Sequence, residues 1–223
     1  MSPDSASRAE RRGFLGRLSA SVLALGALPA SLRAAESAPR ALDALAVDEA
    51  WMDGLKGKYK QFFDCKAHQD GAVIGPVRNF LNAYRDAYGA SDAEVSVVVG
   101  FHGGAAPMAF TDAAWQRFHF GQSIGLNDPA TKMPALRNPA INAGALPADA
   151  LIPALQKRGA IFLLCNNSLS RIVRGLAADG YGTEASVRAE LVGPSLLPGV
   201  IVVPSMVVAA NRLQMRGVTY VGT

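Results

Sequence analysis

Residues 160–175 read Ala160-Ile-Phe-Leu-Leu-Cys165-Asn-Asn-Ser-Leu-Ser-Arg171-Ile-Val-Arg-Gly175. An unbroken apolar run from Ile161 to Leu164 stops at Cys165, polar residues follow at once, and Leu169, Ile172, Val173 and Leu176 then recur at helical spacing. A run that is apolar on both faces marks a strand buried inside a parallel sheet. The stretch therefore predicts a buried strand handing over to a helix, with a thiol at the join. In such sheets chemistry collects outside the carboxyl ends of the strands, where the first N–H groups of each helix lack intrahelical partners.

The same alternation extends in both directions. Lys58 to Cys65 predicts an aromatic first strand ending at a thiol, and Val73, Val77, Phe80, Leu81, Tyr84 and Tyr88 fall on one helical face that closes near Gly89. Val95 to Phe101, short and rich in valine, predicts a second strand. It is followed by His102-Gly103-Gly104-Ala105-Ala106-Pro107 and a helical pattern through Met108, Phe110, Trp115 and Phe118. Residues 119–148 break the alternation with Pro129, Pro134 and Pro139 and read as an insertion: a lid, a binding loop or a subunit contact. A short helix from Asp149 to Arg158 leads into the third strand, and residues 180–199 read as another loop. Val200 to Val203 predicts a fourth strand, Ser205 a cap for a helix from Met206 to Arg216, and Val218 to Val221 a fifth strand. Five strands joined by crossovers predict a three-layer α/β domain with a mostly parallel five-stranded sheet over 58–223. The flavodoxin-like order 2-1-3-4-5 is the expectation, and it brings Cys65, His102 and Cys165 to one edge.

The first residues are of another kind. Arg11-Arg12 with Phe14-Leu15, ahead of a weakly apolar stretch from Leu18 to Leu32, resembles a twin-arginine export signal over residues 1–35. Residues 36–57 read as a linker, and the expected destination is the bacterial periplasm. The apolar stretch is too short and too rich in Ala, Ser and Gly for a membrane anchor, so no stable span is expected after processing. The whole chain carries a net charge of +4, yet residues 36–223 hold 17 basic against 16 acidic side chains, a net of +1. No basic cluster is left to neutralise phosphates, which argues against a nucleic-acid partner.

The run from Ile161 to Arg171, the helix ending near Gly175, and the closing Val202-Val-Pro204-Ser…Asn211-Arg-Leu-Gln-Met-Arg-Gly217-Val-Thr-Tyr220-Val resemble the DsrE/DsrF-like family over residues 58–223. The resemblance implies a compact α/β fold, assembly as trimers or hexamers, and, in the sulfur-relay branch, persulfide carried on a cysteine after the third strand. Cys165 is the matching position. The chain departs from that branch in its export signal, its second cysteine and the 119–148 insertion.

Two readings stand for Cys165: a thiolate favoured by the start of the following helix, or a small buried hydrophobe at a strand end. Cys65, ending the neighbouring strand in the expected order, is a second candidate thiol and a disulfide partner for Cys165. His102 and His68 are candidate proton partners. Two Cys and two His would also suit a metal, although no C-x-x-C or H-x-x-x-H spacing is present. The glycine pair Gly103-Gly104, as a receptor for phosphate or a sulfur oxyanion, and Asn166 beside the thiol are the candidate ligand-binding residues, with the cofactor itself unspecified. Two functions follow: an exported thiol protein that handles sulfane sulfur through Cys165, exchanging it with a donor or acceptor protein, or a non-catalytic small-molecule or metal-binding module of the same fold.

Overall fold

The structure, a computed structural model, describes residues 48–223. The twin-arginine segment and most of the 36–57 linker lie outside the described residues. From the linker's end comes one short helix, α1 (Ala50–Asp53). The elements that follow are β1 (Tyr59–Cys65), α2 (Gly75–Tyr88), β2 (Val95–Phe101), a 3-10 stretch (Gly103–Ala109), α3 (Asp112–Arg117), α4 (Phe120–Ile124), α5 (Ile152–Lys157), β3 (Ile161–Cys165), α6 (Asn166–Ala178), α7 (Glu184–Val192), β4 (Val200–Val203), α8 (Met206–Gln214) and β5 (Thr219–Gly222). Local chemistry sets several of the boundaries. Pro76 lies in the first turn of α2, where a missing N–H costs nothing, and Gly89 ends that helix in the left-handed conformation, φ 65°. Helix α7 occupies what reads in sequence as loop. Thr183 caps it by accepting the Ser186 N–H, and only Val187 and Leu191 face inward, too sparse a stripe to show as a period.

The five strands are all parallel and lie in the order β4-β3-β2-β1-β5. With helices on both faces this is the expected three-layer, open α/β fold. Within it β2 stands between β1 and β3, where the expected order put β1 between β2 and β3, so the expected adjacency of β1 and β3 is not met. Crossover lengths are alike in either order, and nothing in the strands themselves picks the neighbour.

Handedness explains how the helices divide. From β1 to β4 the chain steps in one direction across the sheet, and right-handed crossovers place all the intervening helices on one face. The return from β4 to β5 runs the other way and puts α8 on the opposite face. The first face buries Val77 and Leu81 of α2, Trp115 of α3, Leu155 of α5, Leu169 of α6 and Leu191 of α7 against Phe63, Val99, Phe101, Phe162 and Leu164. The second is thinner: Met52 of α1 and Met206, Ala209 and Leu213 of α8 cover Phe62, Val98 and Leu163. Each large side chain fully withdrawn in these layers contributes about 1.5–3 kcal/mol.

The 119–148 segment is built into the first layer. Phe120, Leu126, Ala140 and Leu146 are buried, and Gly121 lies so close to Ala135 that a Cβ there would fall 2.1 Å from the Ala135 carbonyl oxygen. Asn138, fully buried, donates from Nδ2 to the Met108 and Phe110 carbonyls and accepts the Ala140 N–H on Oδ1. These bonds answer backbone groups that the irregular chain would otherwise strand away from water.

Candidate active site

Strands β3 and β4 are neighbours whose outgoing chains part to opposite faces, β3 into α6 and β4 into α8. That divergence opens the crevice in which open parallel sheets hold ligands. Cys165 stands at this point. Its Cα pairs with that of Val203 on β4, it holds the N-cap position of α6, and its side chain lies in the α8-side layer. Its Sγ accepts the N–H of Met206, the first residue of α8, at 3.4 Å. Ser205, at the N-cap position of α8, makes no side-chain cap bond, so the thiol sulfur takes that place instead of the expected serine hydroxyl. Gly100 permits the arrangement: a Cβ there would lie 2.4 Å from the Met206 Sδ, and without one the Met206 side chain settles onto β2.

A polar group lines the same face and edge. Phe62 faces α8, so Asp64, two residues on, does too. Asp64 Oδ1 lies 2.9 Å from His102 Nε2, with the side chains 17% and 22% exposed. The approach is out of line with the ring N–H, and each of these two atoms is sealed from solvent without another partner. Asp64 Oδ2 accepts the Tyr220 hydroxyl of β5 at 2.8 Å, and that bond to a carboxylate raises the Tyr220 pKa above its ordinary value. His102 extends the β1–β2 ladder, its N–H donating to the Cys65 carbonyl. Because Phe101 pairs with Leu164, His102 is level with Cys165 on the adjoining strand.

Cys65 does not join this group. It belongs to the layer on the other face of the sheet, fully buried, while Cys165 belongs to the α8-side layer. Strand β2 intervenes, which sets the two chains about 10 Å apart, beyond the roughly 7 Å Cα limit of a disulfide. Both cysteines are free. Burial pushes the Cys65 thiol up to about 12, against a lowering by the Thr223 hydroxyl bonded to its sulfur. The expected cross-link and the catalytic role of Cys65 are therefore corrected.

The expected ligand-binding residues are engaged elsewhere. The Gly103 N–H donates to Ser168 Oγ at 2.9 Å, and the residue's φ of 55° and its closeness to the Lys66 carbonyl explain the glycine by packing. Gly104, beside it, adds no bond to a built anion site. Asn166 is buried with its Oδ1 accepting from Arg188 of α7. His68 is tied locally, its Nδ1 accepting the Asp70 N–H. Among the described residues no group of three or more His, Cys, Asp or Glu side chains is placed to hold a metal ion, and no helix is long and apolar enough to cross a membrane.

Sequence reasoning passes over Asp64, Tyr220 and Met206. Asp64 carries the one available signal, a lone acid beside a thiol in an aromatic strand, whereas Tyr220 and Met206 read as ordinary strand and helix residues.

No protein-family model matches this chain, and no curated protein does. Among solved structures it is similar to a protein of unknown function from Methanobacterium thermoautotrophicum, at 18% identity and a TM-score of 0.41, over 74% of this chain and 99% of that one.

Proposed function

We propose that this is an exported protein of the DsrE/DsrF-like kind whose Cys165 accepts and carries sulfane sulfur. The observation that supports the reading is the Met206 N–H directed at Cys165 Sγ in the β3–β4 crevice. A backbone donor at a helix start favours the anionic sulfur of a thiolate or persulfide over the neutral thiol. In the transfer the thiolate's electron pair forms a bond to the outer sulfur of a persulfide R–S–S–H. The donor S–S bond breaks, its pair leaves on R–S⁻, and Cys165 is left as a persulfide without any outside oxidant. Cys165 is 4% exposed, which suits small, unbranched sulfur donors or the slender persulfide end of a partner protein.

The wider reading places the mature chain in the periplasm after twin-arginine export, assembled as a trimer or hexamer. Val207 and Val208, exposed on α8, and Met215, exposed just past its end, offer apolar contact for such an assembly. The test is mass spectrometry of the reduced, native protein after exposure to a low-molecular-weight persulfide. One sulfur atom gained on the Cys165 peptide, and lost in Cys165→Ser, is the expected result. No gain while Cys165 alkylates only in denaturant removes the reading.

A second reading, a small-molecule-binding module, is favoured by a largely apolar cavity of about 220 Å³ among Trp51, Met52, Ile201, Val203, Pro204 and Ala209. A small organic ligand retained in native mass spectra, and lost when Ala209→Leu fills the cavity, would favour it.

A further inference from the structure

We infer that Asp64 and Tyr220 are positioning residues that hold His102 as the proton acceptor for the Cys165 thiol, an inference that rests on the sulfur-carrying reading of Cys165. Three consecutive strands in the sheet deliver the parts to one face and one edge: Asp64 from β1, His102 from the end of β2, and Cys165 from the end of β3. Parallel neighbours run about 4.8 Å apart, so His102 and Cys165, level in register at the ends of adjoining strands, start from neighbouring positions on the same face.

Asp64 Oδ1 and His102 Nε2 are both sealed from solvent and face each other at 2.9 Å with no third group to answer either. A buried donor and acceptor left in this state are costly unless they serve each other. A carboxylate on Nε2 places the ring proton there and leaves Nδ1 as the acceptor. Among the described residues no hydrogen bond occupies Nδ1. Tyr220 fixes the carboxylate from the other side, its hydroxyl on Oδ2 at 2.8 Å, so neither Asp64 oxygen is at liberty to swing away.

The proton balance of sulfur uptake is then complete. The Cys165 S–H bond breaks and its proton passes to His102 Nδ1, giving an imidazolium that the Asp64 carboxylate stabilises. The thiolate takes the outer sulfur of R–S–S–H, the donor S–S bond breaks, and the departing R–S⁻ receives the proton from His102. The sum is Cys165–SH plus R–S–SH giving Cys165–S–SH plus R–SH. Asp64 and Tyr220 exchange no proton with the substrates.

The test joins a spectroscopic readout to a rate. In ¹⁵N-labelled protein the His102 ring should be the Nε2–H tautomer, and Asp64→Asn should mix or reverse it. By mass spectrometry, sulfur uptake at Cys165 should slow about a hundredfold in His102→Gln and Asp64→Asn, and Tyr220→Phe should slow it by a smaller factor. Tyr220 is half-exposed, so its variant tests the arrangement even if Asp64→Asn fails to fold. Wild-type uptake with folded variants that match it in rate and tautomer overturns this inference alone. A wild type that takes up no sulfur removes the Cys165 reading, and this inference with it.

Discussion

Replacing Gly100 by alanine sets a methyl group in the gap over which α8 begins. The new Cβ would lie 2.4 Å from Met206 Sδ and 2.8 and 2.9 Å from two ring carbons of Phe62. Ordinary contact starts near 3.4 Å, so the thioether must withdraw by about 1 Å. Phe62, fully buried in the same layer, gives little room on the other flank. Overpacking of this kind costs about 1–3 kcal/mol, and alanine recovers about 0.5–1 kcal/mol through its lower backbone freedom in a strand. Taking the middle of each range, the expected net loss is about 1 kcal/mol, read in urea as a lower midpoint with an unchanged slope. The Met206 N–H, already 3.4 Å from Cys165 Sγ, is drawn off the sulfur by the same shift, so the alkylation rate of Cys165 should change as well. In a Met206→Ala background the added loss should fall to about half or less, because the two sites share one contact. A Gly100→Ala protein that unfolds at the wild-type midpoint, or loses as much stability with Met206 truncated as without, would refute the idea that this gap seats α8 on Cys165.

Asn138→Ala strands the Met108 and Phe110 carbonyls and the Ala140 N–H, so about 2–4 kcal/mol should be lost and proteolytic nicking between residues 125 and 147 should begin earlier; unchanged cleavage speaks against the anchoring role. At pH 8 the Cys65 thiol, pushed up to about 12, is ionised in about one molecule in ten thousand, so iodoacetamide should reach it only on unfolding, and peptide maps showing equal native rates at Cys65 and Cys165 would contradict this. Two Arg158 N–H groups hold the Asp92 carboxyl below the usual carboxylate range. Its folded pKa is thus under its unfolded value of about 3.9, so the contribution is whole above about pH 4 and lost as pH falls through the folded value. Arg158→Gln should cost under about 1 kcal/mol at neutral pH, since Asp92 is exposed enough for solvent to screen the pair, and a deficit that persists undiminished in strong acid would point to another cause.

The alternation of strand and helix was legible because parallel strands betray themselves as short, nearly all-apolar runs, as Ile161 to Leu164 and Val95 to Phe101 do. That same continuity hides which face a residue takes. Cys165 ends an apolar run and Cys65 an aromatic strand, and because Phe62 and Phe63 are buried on opposite faces no clean polar alternation shows that the two thiols face opposite layers. Placing Cys165 and His102 at one edge followed from the strand ends alone. Finding Asp64 with them required the register between β1 and β2, which depends on contacts between distant segments. The 119–148 stretch reads as insertion because its anchors, Asn138 and Gly121, are residues that serve loops equally well elsewhere.

Strand β1 is among the first parts of the domain to be synthesised and the last to be enclosed. Gln61 and Thr219, which hydrogen-bond across the β1–β5 pair, are 158 residues apart. Until α8 and β5 leave the ribosome, the outer edge of β1 is an open row of backbone donors and acceptors, and Phe62, Val98 and Leu163 face water. Nascent chains halted before residue 200 should therefore be sticky and prone to chaperone capture, and the rate at which a released chain becomes native should be set by this long-range closure.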